Sequence, residues 1–400
     1  MSCGRNRAFG FTRWHPGWIA LASGVALTFA GIVAIDTAET ALAAKQKTWL
    51  FISFIAFGLC LVPDARTVGR FAHLFYAAIL LLLAVIILPG VPDAIVPVRN
   101  GARSWINLYF MNMQPSELAK ISVVLSLAWY LRYRDNYRSL RGLLVPFGLV
   151  LVPVMLILRQ PDLGTAMLFA PTLFAMLVAA GAKLRHLAGV IALAGLSVVL
   201  NVLIVLAMPD SVQVLKPHQR ARIEAMVSRA QGDRRFDQSI NYQQLQAMTV
   251  LGSGAVTGYG AERSATIVEA NQLPLDYNDM IFAVIVNRFG LCGGATLIGL
   301  FLVLVLSILA VASRIKDPFT RLASVGFAAI FFVQSCVNIG ITLGLLPVTG
   351  ITLPFVSYGG SSLVTTFAML GLVINFALQR PLLLGWPSFE FDRDDALTDG

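Results

Sequence analysis

The sequence predicts an all-α polytopic membrane protein, with about ten transmembrane helices and a large extracytoplasmic loop between the seventh and the eighth. Of its 400 residues, 57% are hydrophobic and 13% are charged, and the mean hydropathy is +0.75. This composition lies far outside that of soluble domains. Several apolar runs are long enough to cross about 30 Å of hydrocarbon as helices that satisfy their own backbone hydrogen bonds. We therefore expect one membrane domain over residues 1–400, with the polar interval of residues 209–279 as its large loop.

Apolar runs place the predicted membrane helices along the chain. The first five cover about residues 17–36, 48–62, 71–88, 116–131 and 142–158, and the sixth ends near 180. The seventh, eighth and ninth cover about residues 187–208, 280–312 and 322–343, and the tenth ends near 379. In the eighth, Gly290, Gly293 and Gly294 predict a break or a close contact between helices.

The distribution of basic residues predicts the orientation of these helices. Most Lys and Arg residues of the short loops fall on one side, most densely at Arg132, Arg134, Arg138 and Arg141. The positive-inside rule makes that side cytoplasmic, and it holds both termini, including the tail of residues 380–400. The same distribution accounts for the net charge of +9 and the pI near 9.6 without nucleic acid as a partner. The large loop, the turn at Asp162 and residues 347–362 then face away from the cytoplasm.

Glu117 and Lys120 are ionisable residues at the start of the fourth predicted helix. Their spacing of three places them on one helical face. Ionisable groups inside a membrane segment are costly, and they tend to face a cavity or each other. Two interpretations stay open from the sequence, a structural ion pair near the interface or a functional pair in a polar cavity that opens outward.

Two outward turns also carry polar or irregular residues. Asp162 lies in a Pro-Asp-Leu-Gly turn just before a helix, where a carboxylate can cap the helix or serve a site. Prolines and glycines interrupt the apolar region of residues 347–362. Irregular backbone at membrane depth is tolerated only where it is buried or lines a cavity. We favour a re-entrant loop that walls a site over a plain tight turn.

The large loop contains Tyr242, Gln243 and a glycine series, and we interpret it as a lid and part of the active site. The glycines at 252–260 miss the spacing of a dinucleotide loop, and no Lys-Ser/Thr pair follows as in a P-loop. They are expected to let the backbone fold tightly or approach a ligand. The sequence contains no HExxH or GxSxG motif and no cluster with metal-ligand spacing, so we predict no metal site. Carboxylates are left as candidate catalytic groups, with Asp276 and Asp279 the most suggestively placed.

Several of these stretches resemble motifs of the SEDS family, the RodA, FtsW and SpoVE proteins of bacterial elongation, division and sporulation. The resemblance covers nearly the whole chain. Its most specific parts are residues 114–120 (QPSELAK), 160–166 (QPDLGTA), 344–350 (GLLPVTG) and 354–362 (PFVSYGGSS), together with Asn338. Tyr242-Gln243 with residues 252–254 resembles the loop motif of the family more loosely.

The resemblance implies a peptidoglycan glycosyltransferase of the bacterial inner membrane. Such an enzyme polymerises the undecaprenyl-pyrophosphate-linked precursor lipid II into glycan strands. It works beside a class B penicillin-binding protein in an elongation or division complex. The essential aspartate of the family aligns with Asp279, which we therefore predict to be catalytic. Predicted substrate-binding residues are Gln114, Glu117, Lys120, Asp162, Tyr242, Gln243, Ser357 and Ser361.

The chemistry of glycosyl transfer fits these residue types. A base must deprotonate the acceptor hydroxyl, and cations must stabilise the departing pyrophosphate. Lys120 and the loop arginines Arg103, Arg159 and Arg263 are candidates for the cationic part. No cofactor is evident, although a divalent cation such as Mg²⁺ or Mn²⁺ could share this task.

The chain departs from the family pattern next to the predicted catalytic aspartate. Leu275 and Tyr277 replace a glutamate and a histidine, and Asn287-Arg288 replace a pair of glutamates. These differences leave two alternatives to the polymerase. One is a flippase for a lipid-linked precursor, and the other is a catalytically degenerate scaffold of the wall-synthesis machinery.

Overall fold

The computed structural model describes residues 15–88, 91–97, 103–107, 112–134, 138–207, 242–271 and 278–378. These residues form twelve α-helices, a short 3-10 helix at Arg141–Leu143 and one two-stranded antiparallel sheet. The helices are α1 Pro16–Ala38, α2 Thr40–Cys60, α3 Ala65–Ile87, α4 Pro115–Leu131, α5 Leu144–Arg159, α6 Leu163–Ala180, α7 Leu184–Ala207, α8 Tyr242–Ser253, α9 Gly260–Ala270, α10 Ile281–Arg314, α11 Pro318–Thr342 and α12 Gly360–Leu378. In the sheet, β1 Ile106–Asn107 pairs with β2 Asn112–Met113.

Ten long helices, α1 to α7 and α10 to α12, correspond to the ten predicted spans. Seven of them, α1, α3, α5, α6, α10, α11 and α12, are long and apolar enough to cross a membrane. The chain is therefore a helical, integral membrane protein. The total of ten spans, and the position of the large loop relative to the membrane, stay predictions.

Helix boundaries differ from the predicted spans at several places. Helix α2 begins at Thr40 rather than near 48, because the stretch of Ala, Leu, Lys and Gln before residue 48 consists of strong helix formers. Helix α3 begins at Ala65 rather than near 71. The polar interval, predicted as a loop, contains helices α8 and α9 among its described residues.

Helix α10 breaks at Gly290, as the glycine cluster predicts. Gly290 has φ 70° and ψ −171° inside an otherwise helical run. The freed backbone groups pair with the segment between α8 and α9, since the amide of Leu291 donates to the Ala255 carbonyl at 3.0 Å and that of Tyr259 to the Asn287 carbonyl at 3.0 Å. A Cβ on Gly290 would lie 2.1 Å from the Val256 carbonyl oxygen, so no larger residue fits there.

The glycine series of the large loop serves this same contact. A Cβ on Gly254 would lie 2.4 Å from the Val286 carbonyl oxygen, and one on Gly258 would lie 2.3 Å from that of Arg288. Gly258 also has a positive φ of 76°. These two glycines let the loop backbone fold tightly against α10, which was one of the two roles predicted for them.

The segment between α11 and α12, residues 343–359, contains most of the irregular stretch predicted at residues 347–362, whose last three residues belong to α12. We call this segment the re-entrant loop after that prediction, and its depth in the membrane stays a prediction. It has no helix, yet its apolar residues Ile351, Leu353, Phe355 and Val356 are buried. A Cβ on Gly31 of α1 would lie 2.3 Å from the Val356 carbonyl oxygen, so α1 packs directly on the loop backbone. The loop is thus enclosed by helices, and its polar backbone groups need partners from them.

Candidate active site

Asp279 lies at the edge of the re-entrant loop, just outside the membrane-spanning segment that begins at Ile281. Its side chain is buried, with 8% exposed. A Cβ placed on Gly350 would lie 3.7 Å from its Oδ2 atom, so the carboxyl group faces the loop. Met280, not Asp279, occupies the N-cap of α10, and no side chain caps that helix. Asp279 therefore does not cap α10.

The environment of Asp279 favours its neutral form. Burial raises the pKa of Asp279 to about 7, from an ordinary value of 3.8. The positive end of α10 would lower the pKa of Asp279, but the desolvation of a buried charge is the larger effect at this position. A carboxylate with a pKa near neutrality can both hold and release a proton at physiological pH, as a general base must.

The backbone around Asp279 is tied to the re-entrant loop by two buried side chains. Nδ2 of Asn338, on α11, donates to the Asp279 carbonyl at 2.9 Å and to the Ile351 carbonyl at 2.7 Å. Oγ of Ser357 donates to the Asn278 carbonyl at 2.5 Å and accepts from the amide of Leu353 at 2.7 Å. The hydroxyl of Ser357, predicted to bind substrate, thus holds the start of α10 against the loop.

Glu117 and Lys120 form an ion pair inside the helix packing. Nζ of Lys120 lies 2.8 Å from Oε2 of Glu117, and 1% of the lysine side chain is exposed. Nζ also donates to Oε1 of Gln334 at 3.1 Å, and Nε2 of Gln334 donates to the Thr352 carbonyl at 2.8 Å. The pair therefore connects α4, through one glutamine of α11, to the re-entrant loop. Its predicted contact with substrate stays a prediction.

Asp162 caps α6 and joins two of the sequence motifs. Its Oδ1 accepts from the Thr165 amide at 3.0 Å. Its Oδ2 accepts from Nε2 of Gln114 and from Oγ of Ser116, both at 2.9 Å. The backbone N–H of Gln114 donates in turn to Oγ of Ser361 at 3.2 Å, and this bond connects the start of α12 to the same network. Capping is one of the two roles predicted for Asp162, and a role in substrate binding stays a prediction.

Tyr242 and Gln243 lie half-buried at the start of α8. Their buried neighbour Gln244 connects α8 to the core, because its Nε2 donates to the Ile341 carbonyl at 2.7 Å and to the Leu346 carbonyl at 2.6 Å. These acceptors lie at the end of α11 and the start of the re-entrant loop. Substrate binding by Tyr242 and Gln243 stays a prediction.

Sequence reasoning missed two buried glutamines that support the loop, Gln334 and Gln46. Nε2 of Gln46, on α2, donates to the Ser357 carbonyl at 3.2 Å, and its Oε1 accepts from the Gly359 amide at 3.4 Å. An amide side chain within an apolar membrane helix was the available signal, since such a group requires a buried partner.

The residues that depart from the family pattern are partly described. Leu275, Asp276 and Tyr277 lie outside the described residues. Nδ2 of Asn287 donates to the Val250 carbonyl at 2.9 Å and to Oγ of Ser253 at 2.8 Å, which fastens α8 to α10. Nη1 of Arg288 donates to the Val33 carbonyl at 2.9 Å and to the hydroxyl of Thr37, both on α1. Asn287 and Arg288, which replace the pair of glutamates, therefore both make contacts between helices.

The three arginines predicted as cationic candidates are half-buried or exposed. Arg103 pairs with Asp93 at 2.6 Å, and Arg159 and Arg263 are exposed. Across the described ranges, no group of three or more His, Cys, Asp or Glu side chains could hold a metal ion.

Fold and site together define a polytopic helical membrane protein in which a buried aspartate faces the irregular loop between α11 and α12. A family model for FtsW, RodA and SpoVE, described as "Cell cycle protein", matches residues 17–381. The chain belongs to this family, and the resemblance seen in the motifs is confirmed.

Three relatives illustrate the similarity. The probable peptidoglycan glycosyltransferase FtsW of Trichlorobacter lovleyi is 30% identical over 368 residues, covering 88% of this chain and 91% of the relative. Stage V sporulation protein E of Bacillus subtilis is 32% identical over 337 residues, covering 83% and 86%. Peptidoglycan glycosyltransferase MrdB of Helicobacter pylori is 31% identical over 363 residues, covering 89% and 88%.

Solved structures share the fold. One, described as "Structural coordination of polymerization and crosslinking by a peptidoglycan synthase complex", aligns with a TM-score of 0.75 at 30% identity, covering 91% of this chain and 98% of that one. The rod shape determining protein RodA of Thermus thermophilus aligns with a TM-score of 0.63 at 28% identity, covering 90% and 96%. A second RodA structure from that organism carries an aspartate mutation.

Proposed function

We propose that this chain is a peptidoglycan glycosyltransferase that polymerises lipid II into glycan strands. Relatives that match over most of their length carry the name of this activity. The observation that carries the proposal is the buried carboxyl group of Asp279, at the position of the essential aspartate of the family, with its pKa raised to about 7. The reaction would take place on the outer face of the bacterial inner membrane, with both termini in the cytoplasm.

Asp279 is the proposed general base. Its carboxylate takes the proton from an acceptor sugar hydroxyl, whose oxygen then attacks the anomeric carbon of the donor sugar. The new glycosidic bond forms as the bond from that carbon to the pyrophosphate oxygen breaks, and the pyrophosphate leaves with its lipid. A base with a pKa close to the working pH is efficient because it is ionised and still accepts the proton readily.

Lys120 contributes through the re-entrant loop rather than as a free cation. Its ammonium group is already paired with Glu117 and hydrogen-bonded to Gln334, which in turn holds Thr352. Removing it would disturb the loop that faces Asp279. Charge on the departing pyrophosphate is then left to exposed arginines such as Arg159 and Arg263.

A divalent cation, Mg²⁺ or Mn²⁺, remains a proposal. In the part of the chain that the structure describes, no three His, Cys, Asp or Glu side chains could hold a metal ion together, so the protein would supply at most two such ligands there. Mg²⁺ is commonly bound by one or two carboxylates together with substrate phosphates, and a pyrophosphate substrate fits that pattern. When bound, the ion would neutralise charge on the leaving group.

We also propose that the chain works beside a class B penicillin-binding protein in an elongation or division complex. The solved structure with the TM-score of 0.75 is described as a peptidoglycan synthase complex that coordinates polymerisation and crosslinking. A polymerase of glycan strands needs a transpeptidase to crosslink its product.

Labelled lipid II supplied to the purified protein in liposomes tests the proposal. A polymerase produces glycan polymer, a flippase moves lipid II between leaflets without polymer, and a scaffold does neither. The Asp279→Asn variant is the control for polymerisation. Polymer made by the wild type and lost in this variant supports the proposal, and lipid II movement without polymer contradicts it.

A further inference from the structure

A cavity of about 580 Å³ lies between the start of α1 and the second half of α10. Arg314, the last residue of α10, lies at its edge, whereas Asp279 precedes the first residue of the same helix. The α10 segment after the break at Gly290 runs from residue 291 to Arg314, which at about 1.5 Å per residue places Arg314 about 36 Å from the break along the axis of that segment. The cavity is therefore independent of the proposed active site.

The cavity is apolar along most of its length. Its walls include Ile19, Ala22 and Ala26 of α1 and Leu300 of α10. From His15 to Ala26 the α1 backbone rises about 16 Å, at about 1.5 Å per residue. That is about half of the 30 Å hydrocarbon thickness, so the cavity extends through a single leaflet of the bilayer.

The end of the cavity at the membrane surface is polar and positively charged. The Arg314 side chain is exposed there, beside His15. Nδ1 of His15 accepts from the Gly17 amide at 3.1 Å, so the neutral ring carries its proton on Nε2 and has a donor to offer. Burial, and then the charge of Arg314, lower the pKa of His15, which keeps the ring neutral near pH 7. No Asp or Glu is among the described residues that line the cavity.

We propose that this cavity binds one anionic phospholipid of the cytoplasmic leaflet. Its phosphate would lie at Arg314 and His15, and one acyl chain would extend along α1 towards Ala26. Basic pockets between membrane helices on the cytoplasmic side suit anionic headgroups, and that leaflet supplies them. Trp18, which also lines the cavity, belongs to a residue type enriched at the membrane interface.

Native mass spectrometry of protein released from vesicles of equal phosphatidylglycerol and phosphatidylcholine tests the proposal. We expect the wild type to retain phosphatidylglycerol preferentially. Arg314→Gln should lower that preference about fivefold, the loss of one arginine's attraction to an anionic lipid. Ala22→Phe should fill the cavity and abolish lipid retention there. Matched controls are Arg321→Gln, an exposed arginine near the start of α11, and Ala78→Phe, an exposed alanine of α3; neither lines the cavity.

Equal retention of the two lipids by the wild type would overturn the proposal. So would an Arg314→Gln preference equal to that of Arg321→Gln, or lipid retention by Ala22→Phe equal to that of Ala78→Phe. The unfolding temperature of each variant in lipid-free detergent separates loss of lipid from loss of fold. Since Arg314 is exposed, its variant keeps the test decisive if Ala22→Phe fails to fold.

Discussion

At the scale of the residue, the buried position of Asp279 governs its chemistry. The positive end of a helix would keep a carboxylate ionised, but only within the first turn and by up to about 2 kcal/mol. Asp279 lies before the N-cap and is buried against the re-entrant loop, so desolvation is the larger effect and raises its pKa to about 7. The resulting carboxyl group is suited to exchange a proton near neutral pH.

This raised pKa predicts the pH dependence of polymerisation. Below about pH 7 the base is protonated, so the rate should fall about tenfold for each pH unit, and it should level off above pH 7. The folded protein binds this proton more tightly than the unfolded chain does. Protonation of Asp279 therefore raises the free energy of unfolding as the pH falls from about 7 towards 3.8. Unfolding caused by this group does not explain a loss of activity over that range. A rate that stays constant between pH 5.5 and about 8 would contradict the assignment.

Asn338 is expected to position Asp279 by holding its backbone. Asn338→Leu leaves two buried carbonyls, those of Asp279 and Ile351, without this donor, at a cost of about 1 to 3 kcal/mol each. We expect lower stability and a loss of polymerase activity larger than the unfolded fraction explains. The measurements are denaturant unfolding and polymer yield per folded molecule.

Asn375→Leu is the matched control for this variant. Asn375 is buried in α12, and its Nδ2 also donates to two carbonyls, those of Cys60 and Pro63. Its loss should destabilise the protein to a similar extent and leave the activity of the folded fraction intact. Equal activity losses in the two variants would show that Asn338 has only a structural role.

At the scale of the element, the re-entrant loop joins the separate parts of the site. Side chains from two helices hold it, namely Gln46 on α2 and both Gln334 and Asn338 on α11. The loop lacks a helical backbone, so these contacts satisfy polar groups that lipid could not. The ion pair of α4 is part of this support, because it holds Gln334.

The ion pair predicts a pattern of single and double variants. Lys120→Met leaves the buried Glu117 without its cation and should lower the free energy of unfolding by about 3 to 5 kcal/mol. Adding Glu117→Gln removes the unpaired charge and should restore most of that loss. If the double variant is stable yet inactive, Lys120 has a direct role towards substrate. If Lys120→Met folds and polymerises as the wild type does, the ion pair neither stabilises the fold nor supports polymerisation.

The sequence predicted the elements whose signals are local. The break at Gly290 followed from a glycine cluster, the Asp162 cap from its place before a helix, and the irregular loop from its prolines and glycines. Helices α8 and α9 were missed because polar helices lack the apolar run that marks a membrane span. The contacts of Gln46 and Gln334 join residues remote in sequence, as from Gln46 to Ser357, and local patterns do not encode such pairs.

At the scale of the whole molecule, helix α10 connects two distinct regions. Asp279 and the re-entrant loop lie at its start, and the proposed lipid cavity lies at its end. Under the predicted orientation the first region faces the wall and the second faces the cytoplasm. The proposed reaction depends on this orientation, since glycan strands form outside the cytoplasm.

Cysteine labelling tests the orientation. In a variant without the native cysteines, we expect Glu262→Cys, on α9, to react with an impermeant maleimide in whole cells. Lys316→Cys, between α10 and α11, should react only after the cells are opened. Both side chains are exposed in the fold, so accessibility of the folded protein does not limit either reaction. The reverse pattern would contradict the assignment.

The measurement that tests the central claim most directly is polymerisation of lipid II by purified Asp279→Asn. The amide has nearly the same shape as the carboxyl group but cannot accept the proton, so activity should fall by about 10² or more while the protein stays folded. Asp276→Asn, three residues earlier, should keep most of its activity. Near wild-type polymerisation by Asp279→Asn together with an inactive Asp276→Asn would show that Asp276 is the base, and full activity of both would contradict a catalytic role for this segment.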